Sequence, residues 1–395
     1  MIRVNIRFVV LTILAYIFAY IQGGNLPYTI FYALFITLIF SIFTIFILSI
    51  SIGIDIRMEE RVYICGDIAP ISILANNRSI IPSPYVVIKN NIISLFNPKF
   101  IGELISLKFD ETKNLKYNIN FKNRGIYDIG SMSVSIRDLF CIFTVNKSIK
   151  KNTFVKVYPK IYELEKSILK SADIFKNATS TKSSIEDMYS VKDMRKYRDG
   201  DNLKRINWKV SAKLNELFVR NFETVSGQEL NIFLDMNKSN YNMDREGILE
   251  EKMVDFCSSL VNFAVSRDIK SKLFINCNGF IEYDVENKED LQNLQELFLT
   301  QKSDGDFSFL RFINSHRNKL SSLSGVAIIT GKISDALTNS LMNMQDVGYK
   351  IIVFYTNKTS EDIKNSEFLN KIGVECINIC ELIRCIEERE NAAEA

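Results

Sequence analysis

The chain opens on two long apolar runs. Residues 8–21, FVVLTILAYIFAYI, carry no charge, and after QGGNLP a second uncharged run covers residues 28–54. A helix needs about 20 apolar residues to cross a hydrocarbon core, and the second run exceeds that. The first is shorter, but no small-residue cleavage site separates it from the second, which disfavours a signal peptide. The pattern predicts a two-helix transmembrane hairpin over 1–55, with helices at about 6–22 and 28–52. Arg3 and Arg7 precede the hairpin, Arg57 and Arg61 follow it, and the connecting loop is uncharged. The positive-inside bias then gives a multi-pass cell-membrane protein with two helices and both termini cytoplasmic.

From residue 56 to 160 the period shortens. VYICGDIAPISILANN, SPYVVIKNN, ELISLKF and LKYNINF are strand-like runs, separated by Gly66–Asp67, Asn76–Asn77, Pro82, Pro84, Asn97–Pro98 and Lys113–Asn114. Short strands with turn signals at this spacing predict an antiparallel β-sandwich-like domain, serving as an interaction module or as a spacer. Residues 171–188 are polar and small, a loop within a linker region over 161–228.

Over 229–390 the pattern alternates. ELNIFLDM reads as a strand buried on both faces, and Ile248, Met253, Phe256, Leu260 and Phe263 recur at helical spacing. Strand-like SKLFINC, GFIEYDV, GVAIIT, YKIIVFYT and VECINI are interleaved with helix-like segments, one closed by Gly348. Such alternation predicts an α/β domain with a mainly parallel sheet. Its ligands would sit at the carboxyl ends of the strands.

Charge and composition narrow the chemistry. A net charge of +3 is close to balance, which argues against nucleic acid as a partner. Seven cysteines without a CxxC pair read as scattered thiols rather than a disulfide or zinc framework. A single histidine, His316, argues against a His-rich metal site or a His-based triad and reads as a satisfied surface or core residue. There is no nucleophile elbow and no phosphate-cradling glycine loop, so no catalytic residues are assigned.

The first α/β strand ends in DMNKSN, which places Asp235, Asn237 and Ser239 at alternate positions. Three hard oxygen donors there suit Mg²⁺ or another divalent cation. Alternatively the same residues cap and turn the loop. The triplet resembles the DxSxS metal-adhesion motif of von Willebrand factor A domains, with Asn237 in place of the first serine. That family supplies a later carboxylate where this chain has Gly331, and Asp335 reads as a helix N-cap instead. No cofactor is otherwise expected.

Between the strand-rich and α/β regions stands RKYRDGDNLKRINWKVSAK, residues 195–213, holding the single tryptophan, Trp208. From 192 to 220 there are nine basic and four acidic residues, a local basic cluster on a near-neutral chain. Tyr197, Arg198, Gly200, Asp201, Arg205, Asn207, Trp208, Lys209, Ser211 and Lys213, with Ile206, Ala212, Leu217, Val219, Phe222 and Glu223, resemble the signature of the domain of unknown function 58 family. RGIYDIG at 124–130, Asp138, Phe140 and VYPK at 157–160 extend the resemblance. The proline and glycine of the family's D-P-F-G turn are replaced in DLFCIF.

The resemblance implies a membrane-anchored protein with a von Willebrand A-like domain. It also implies a MoxR-type AAA+ ATPase as partner in a chaperone-like or assembly role; no enzymatic activity is established for the family it resembles. The residues themselves leave three readings of the basic segment open. Its ions pair internally while Trp208 pins it to the sheet, or Arg and Trp side chains anchor a protein partner, or its charge binds an anionic ligand. A membrane-anchored interaction module is the leading expectation. A metal-dependent hydrolase using Asp235, or a lipid- or polysaccharide-binding scaffold, are the alternatives.

Overall fold

The computed structural model describes the chain outside residues 1, 165–184, 199–200, 202–205, 215, 226–228, 242–243, 245, 321–323 and 395. It divides into two units, Met1–Tyr158 and Pro159–Ala395.

In the first unit, α1 (Ile6–Gln22) and α2 (Asn25–Ser51) form an apolar helix pair. They turn back on each other through Gly23 and Gly24, whose φ values of 65° and 84° favour residues without a side chain. The 27-residue α2 is long and apolar enough to cross a membrane, and α1 is a shorter apolar helix. The second helix was expected to reach residue 52. It stops at Ser51, because Ile52 and Ile56 turn inward at strand spacing and start β2 (Ile52–Met58).

The strands of this unit fall into three sheets. A five-stranded sheet has the order β1 (Ile2–Val4), β10 (Phe143–Lys150), β9 (Ser131–Arg137), β5 (Ser83–Asn90) and β6 (Glu103–Leu107). Each of its pairs is antiparallel. A second sheet joins β2, β4 (Ile68–Asn77) and β7 (Thr112–Asn120), also antiparallel. In the third, β11 (Phe154–Tyr158) pairs parallel with β3 (Tyr63–Ile64) and antiparallel with β8 (Gly125–Asp128).

Alternate side chains of β4 (Ala69, Ile71, Ile73, Ala75) turn inward against Val86, Ile88, Val134 and Ile136. Ile45 and Leu48 of α2 belong to the same core, so the end of the long helix is packed against strands. Besides β2, the strands β9 and β10 and two short elements escaped the sequence pattern. One of the short ones is β1, too short to show a period. The other is the six-residue α3 (Asn91–Phe96), capped by the Asn90 side chain on Ile92 and Ile93 N–H.

The second unit holds a two-stranded sheet of β12 (Ile185–Lys196) and β13 (Phe218–Val225), and a six-stranded sheet. The latter has the order β16 (Ile281–Val285), β15 (Lys270–Ile275), β14 (Glu229–Leu234), β17 (Gly325–Thr330), β18 (Lys350–Tyr355) and β19 (Glu375–Asn378). All neighbours are parallel except β15 and β16.

Helices α4 (Trp208–Leu214), α5 (Ile248–Val265), α6 (Lys288–Thr300), α7 (Phe309–His316), α8 (Asp335–Asp346), α9 (Ser360–Lys371) and α10 (Ile379–Glu394) complete it. Phe256 and Leu260 of α5 pack on one face of the sheet with Ile232 and Leu234. Phe312, Leu341 and Leu369 lie in a second cluster with Phe233 and Val353. Of the expected loop over 171–188, residues 171–184 lie outside the described residues, and the rest begins β12.

Candidate functional site

The basic segment is the connection between β12 and β13. The strands pair up to Lys196 opposite Phe218, and the chain between them folds back as α4. Asn207 and Ser211, four apart on one helix face, tie α4 to β13. The Asn207 N–H donates to the Phe218 carbonyl at 2.9 Å, and the Phe218 N–H donates to the Ser211 hydroxyl at 2.9 Å. Both backbone groups of Phe218 are thus satisfied by one helix turn. Asn207 also caps α4, accepting from Val210 N–H at 3.4 Å, and Ile206 bridges to Val219. Ile206, Asn207, Ser211 and Val219 are all buried.

Asp201 is held by a fork. Arg195 donates to both its carboxylate oxygens at 2.7 Å, and Arg198 N–H donates at 2.9 Å. The Arg195 guanidinium, helped by the Arg198 amide, holds the Asp201 carboxyl below its usual range.

Trp208 behaves otherwise than expected. It was read as pinning the segment to the sheet, yet it is 66% exposed at the first position of α4. The pinning falls instead to Ile206, Asn207 and Ser211, which spacing alone did not single out. Lys209, Lys213 and Arg198 are exposed with it, as are Leu214 and Leu217, while Tyr197 is half-buried. Lys196 pairs with Glu216. Gly200 and Arg205 lie outside the described residues. The segment therefore presents an aromatic ring and several cations from a fixed base.

The second candidate lies at the carboxyl ends of β14 and β17, where the strand order reverses. Asp235 follows β14 and is 3% exposed. Its Oδ1 accepts from Asn237 N–H at 3.2 Å and Asn276 Nδ2 at 3.3 Å. Its Oδ2 accepts from Asn240 Nδ2 at 2.6 Å and Thr330 Oγ1 at 3.0 Å. Burial pushes the carboxyl up, and these four donors oppose that.

Asn237 is likewise engaged at both ends of its amide. Its oxygen accepts from Ser239 N–H at 2.9 Å, and its nitrogen donates to the Phe307 carbonyl at 2.9 Å. Ser239 is exposed and helps line a cleft of ≈ 440 Å³ with Asp235, Asn240, Thr330 and Lys332. A Cβ at Gly331 would lie 2.9 Å from that of Asn240, so Asn240 crowds the place of the later carboxylate. The three motif residues are brought together, but as a hydrogen-bonded turn. As arranged, both Asp235 oxygens and the Asn237 amide oxygen already accept protein N–H and O–H groups, so a divalent cation would have to displace those donors.

Asp335 does not cap its helix as expected. Ser334 does, accepting from Leu337 N–H, while the Asp335 carboxylate accepts from Asn365 Nδ2 at 2.9 Å. Two further residues complete the Asp235 network: Asn240, which closes the same DMNKSN loop, and Asn276, which follows the end of β15.

A family model described as "Protein of unknown function DUF58" matches residues 193–274, and this match supports that family. It takes in α4, β13, β14 and α5. No curated protein matches the chain. Among solved structures, a crystal structure of a CARDB domain from Pyrococcus furiosus is similar at 17% identity and a TM-score of 0.18, over 27% of this chain and 86% of that one. A solution NMR structure of that domain is similar at 16% identity and a TM-score of 0.18, over 27% and 94%. Bacteroides uniformis beta-glucuronidase 2 is similar at 11% identity and a TM-score of 0.16, over 82% of this chain and 33% of that one.

Proposed function

We propose that the chain is a membrane-anchored, cytoplasm-facing interaction module of the DUF58 family. In this reading α1 and α2 hold it in the cell membrane, and α4 presents the docking surface for a protein partner. The partner class that the resemblance implies is a MoxR-type AAA+ ATPase, in a chaperone-like or assembly role.

The observation that carries this reading is the exposure of Trp208 beside Lys209 and Lys213. A tryptophan left on the surface gains nothing for the fold, whereas Trp is among the residues most enriched at interface hot spots. The buried Asn207 and Ser211 bonds fix the helix that presents it, which limits the ordering cost of docking.

The strand order and the position of the Asp235 turn support a von Willebrand A-like second domain. The saturated Asp235 carboxylate favours a binding role over metal-dependent hydrolysis. The test is co-purification of the full-length protein with its AAA+ neighbour. Trp208→Ala combined with Arg205→Ala is expected to abolish it, and full retention by that double variant would remove this segment from docking.

A further inference from the structure

Three parts of the first unit meet at one level. Tyr16 of α1 packs on Phe31 of α2 with ring centroids 5.2 Å apart. Following the antiparallel helices away from the Gly23–Gly24 turn by equal steps brings Ile6 level with Ser41. Ser41 is the residue that bonds to Asp138, in the turn between β9 and β10. Phe40 meets Phe140 of that turn edge-on at 6.2 Å, and Asn5 N–H donates to the Ile142 carbonyl at 2.8 Å.

On one side of this level both helices expose apolar side chains around their circumference, among them Leu14, Phe18, Ile30 and Phe35. On the other side α2 buries a face through Ser41, Thr44, Ile45 and Leu48. From the β9–β10 turn onward one face of the helix is covered, while Ile42, Phe43, Phe46 and Ile50 stay exposed on the other.

The turn and the sheet end beside it have their own surface chemistry. Leu139 and Phe140 are exposed at the tip, 37% and 54%. Across the five-stranded sheet, Arg3 pairs with Thr144, Thr144 with Arg137, and Arg137 with Tyr85. Residues directly opposite in a sheet share a face, so this row sets two arginines and a tyrosine side by side. Arg3, Arg137 and Tyr85 are exposed, and so is Arg7, the second residue of α1.

We propose that this end of the five-stranded sheet is itself a contact surface for an anionic bilayer. Leu139 and Phe140 enter the interface, Tyr85 sits at headgroup depth, and Arg3, Arg7 and Arg137 bind lipid phosphates. The proposal rests on the reading of α1 and α2 as a membrane anchor. Continuity with that anchor and the positive row argue for lipid as the occupant. Basic groups near an anionic leaflet are attracted to it, and aromatic rings concentrate at the interface. The surface would fix the depth and tilt of the β-rich unit on the membrane.

The test uses the full-length protein in vesicles, with Trp208→Phe as background so that one introduced tryptophan reports. Phe35→Trp, Phe140→Trp and Phe109→Trp are compared in phosphatidylcholine–phosphatidylglycerol vesicles containing brominated lipids. Phe109 is another exposed aromatic position, 66% exposed. Expected are loss of Phe35→Trp emission with deeply brominated chains, loss of Phe140→Trp emission with shallowly brominated ones, and no loss for Phe109→Trp.

Quenching at Phe35→Trp with none at Phe140→Trp would overturn the contact surface and leave the anchor standing. Absence of quenching at both positions would overturn the anchor reading, and the surface with it. Arg3→Gln with Arg137→Gln is expected to remove the dependence of Phe140→Trp quenching on phosphatidylglycerol. An unchanged dependence would overturn the assignment of the arginines to lipid phosphates.

Discussion

Ser41, inside the apolar helix α2, donates its hydroxyl to Oδ2 of Asp138 across 2.7 Å, and both residues are fully buried. Asp138 also accepts from Phe140 N–H at 3.0 Å and Phe143 N–H at 2.6 Å. A buried carboxylate is tolerated because every one of these donors is aimed at it. Ser41→Ala removes one charge-assisted bond and is expected to cost about 1.5–3 kcal/mol. Asp138→Ala strands two backbone donors and the Ser41 hydroxyl, and is expected to cost more, about 3–5 kcal/mol. Denaturant unfolding of the detergent-solubilised protein measures both. Equal, negligible losses would show that the helix is not coupled to the turn.

The same turn carries a backbone strain. Cys141 has φ of 55°, in the left-handed region, at the place where the related motif carries glycine. A residue with a Cβ pays about 1–2 kcal/mol there. Cys141→Gly is expected to stabilise the first unit by roughly 0.5–1 kcal/mol, part of the relief being offset by the extra freedom of glycine when unfolded. A lower unfolding midpoint for this variant would contradict the reading of the turn.

The exposure of Trp208 separates binding from folding. Removing an exposed ring outside the buried contacts should change stability by no more than about 0.5 kcal/mol. Asn207→Ala, by contrast, removes the cap of α4 and is expected to cost about 1 kcal/mol. Partner capture lost in Trp208→Ala, with an unchanged melting temperature, is the expected pair of outcomes. A large loss of stability in Trp208→Ala would restore the pinning role.

These contrasts show where the sequence was legible. The apolar runs gave α1 and α2 closely, since uninterrupted hydrophobicity has one reading at that length. The alternation after residue 229 gave the parallel strands and four of the helices, because buried strands and amphipathic helices differ in period. The short elements β1 and α3 hold too few residues to show any period.

The roles within the basic segment were invisible for another reason. Trp208 and Ile206 are both apolar, and which of them turns inward depends on the pairing of Ile206 with Val219, set by β12 and β13. Likewise Asn276 and Thr330 reach Asp235 only through the fold. The DxNxS spacing located that loop, but not what its carboxylate binds.

The Arg195–Asp201 fork makes a pH prediction. Asp201 is held below its usual range in the folded state, chiefly by Arg195. A depressed carboxyl contributes stability that is present above its unfolded pKa, about 3.9, and lost as pH falls through the folded one. The difference in stability between the wild type and Asp201→Asn should therefore be constant from about pH 5 to 7 and shrink on further acidification. Hydrogen exchange of the Arg198 amide, which donates to Asp201, reads this locally. A difference that grew with acid would reverse the assignment.

Asp235 tests whether the second site is a turn or a cation site. Its two oxygens accept four protein donors, from Asn237, Asn276, Asn240 and Thr330. Asp235→Ala leaves the Asn237 N–H and the Asn240 amide without an acceptor, while Asn276 and Thr330 keep the Phe307 and Lys332 carbonyls, and is expected to cost about 2–4 kcal/mol. Asn240→Ala removes the shortest of the bonds and should cost about 1.5–3 kcal/mol. A cation could reach Oδ2 only by displacing Asn240 or Thr330. Millimolar Mg²⁺ is accordingly expected to give no saturable heat with the wild type and no rise in melting temperature. Saturable heat in the wild type that disappears in Asn237→Ala would overturn this. That residue is only part-buried, and its loss leaves Asp235 its backbone donor, so the variant separates ligation from folding.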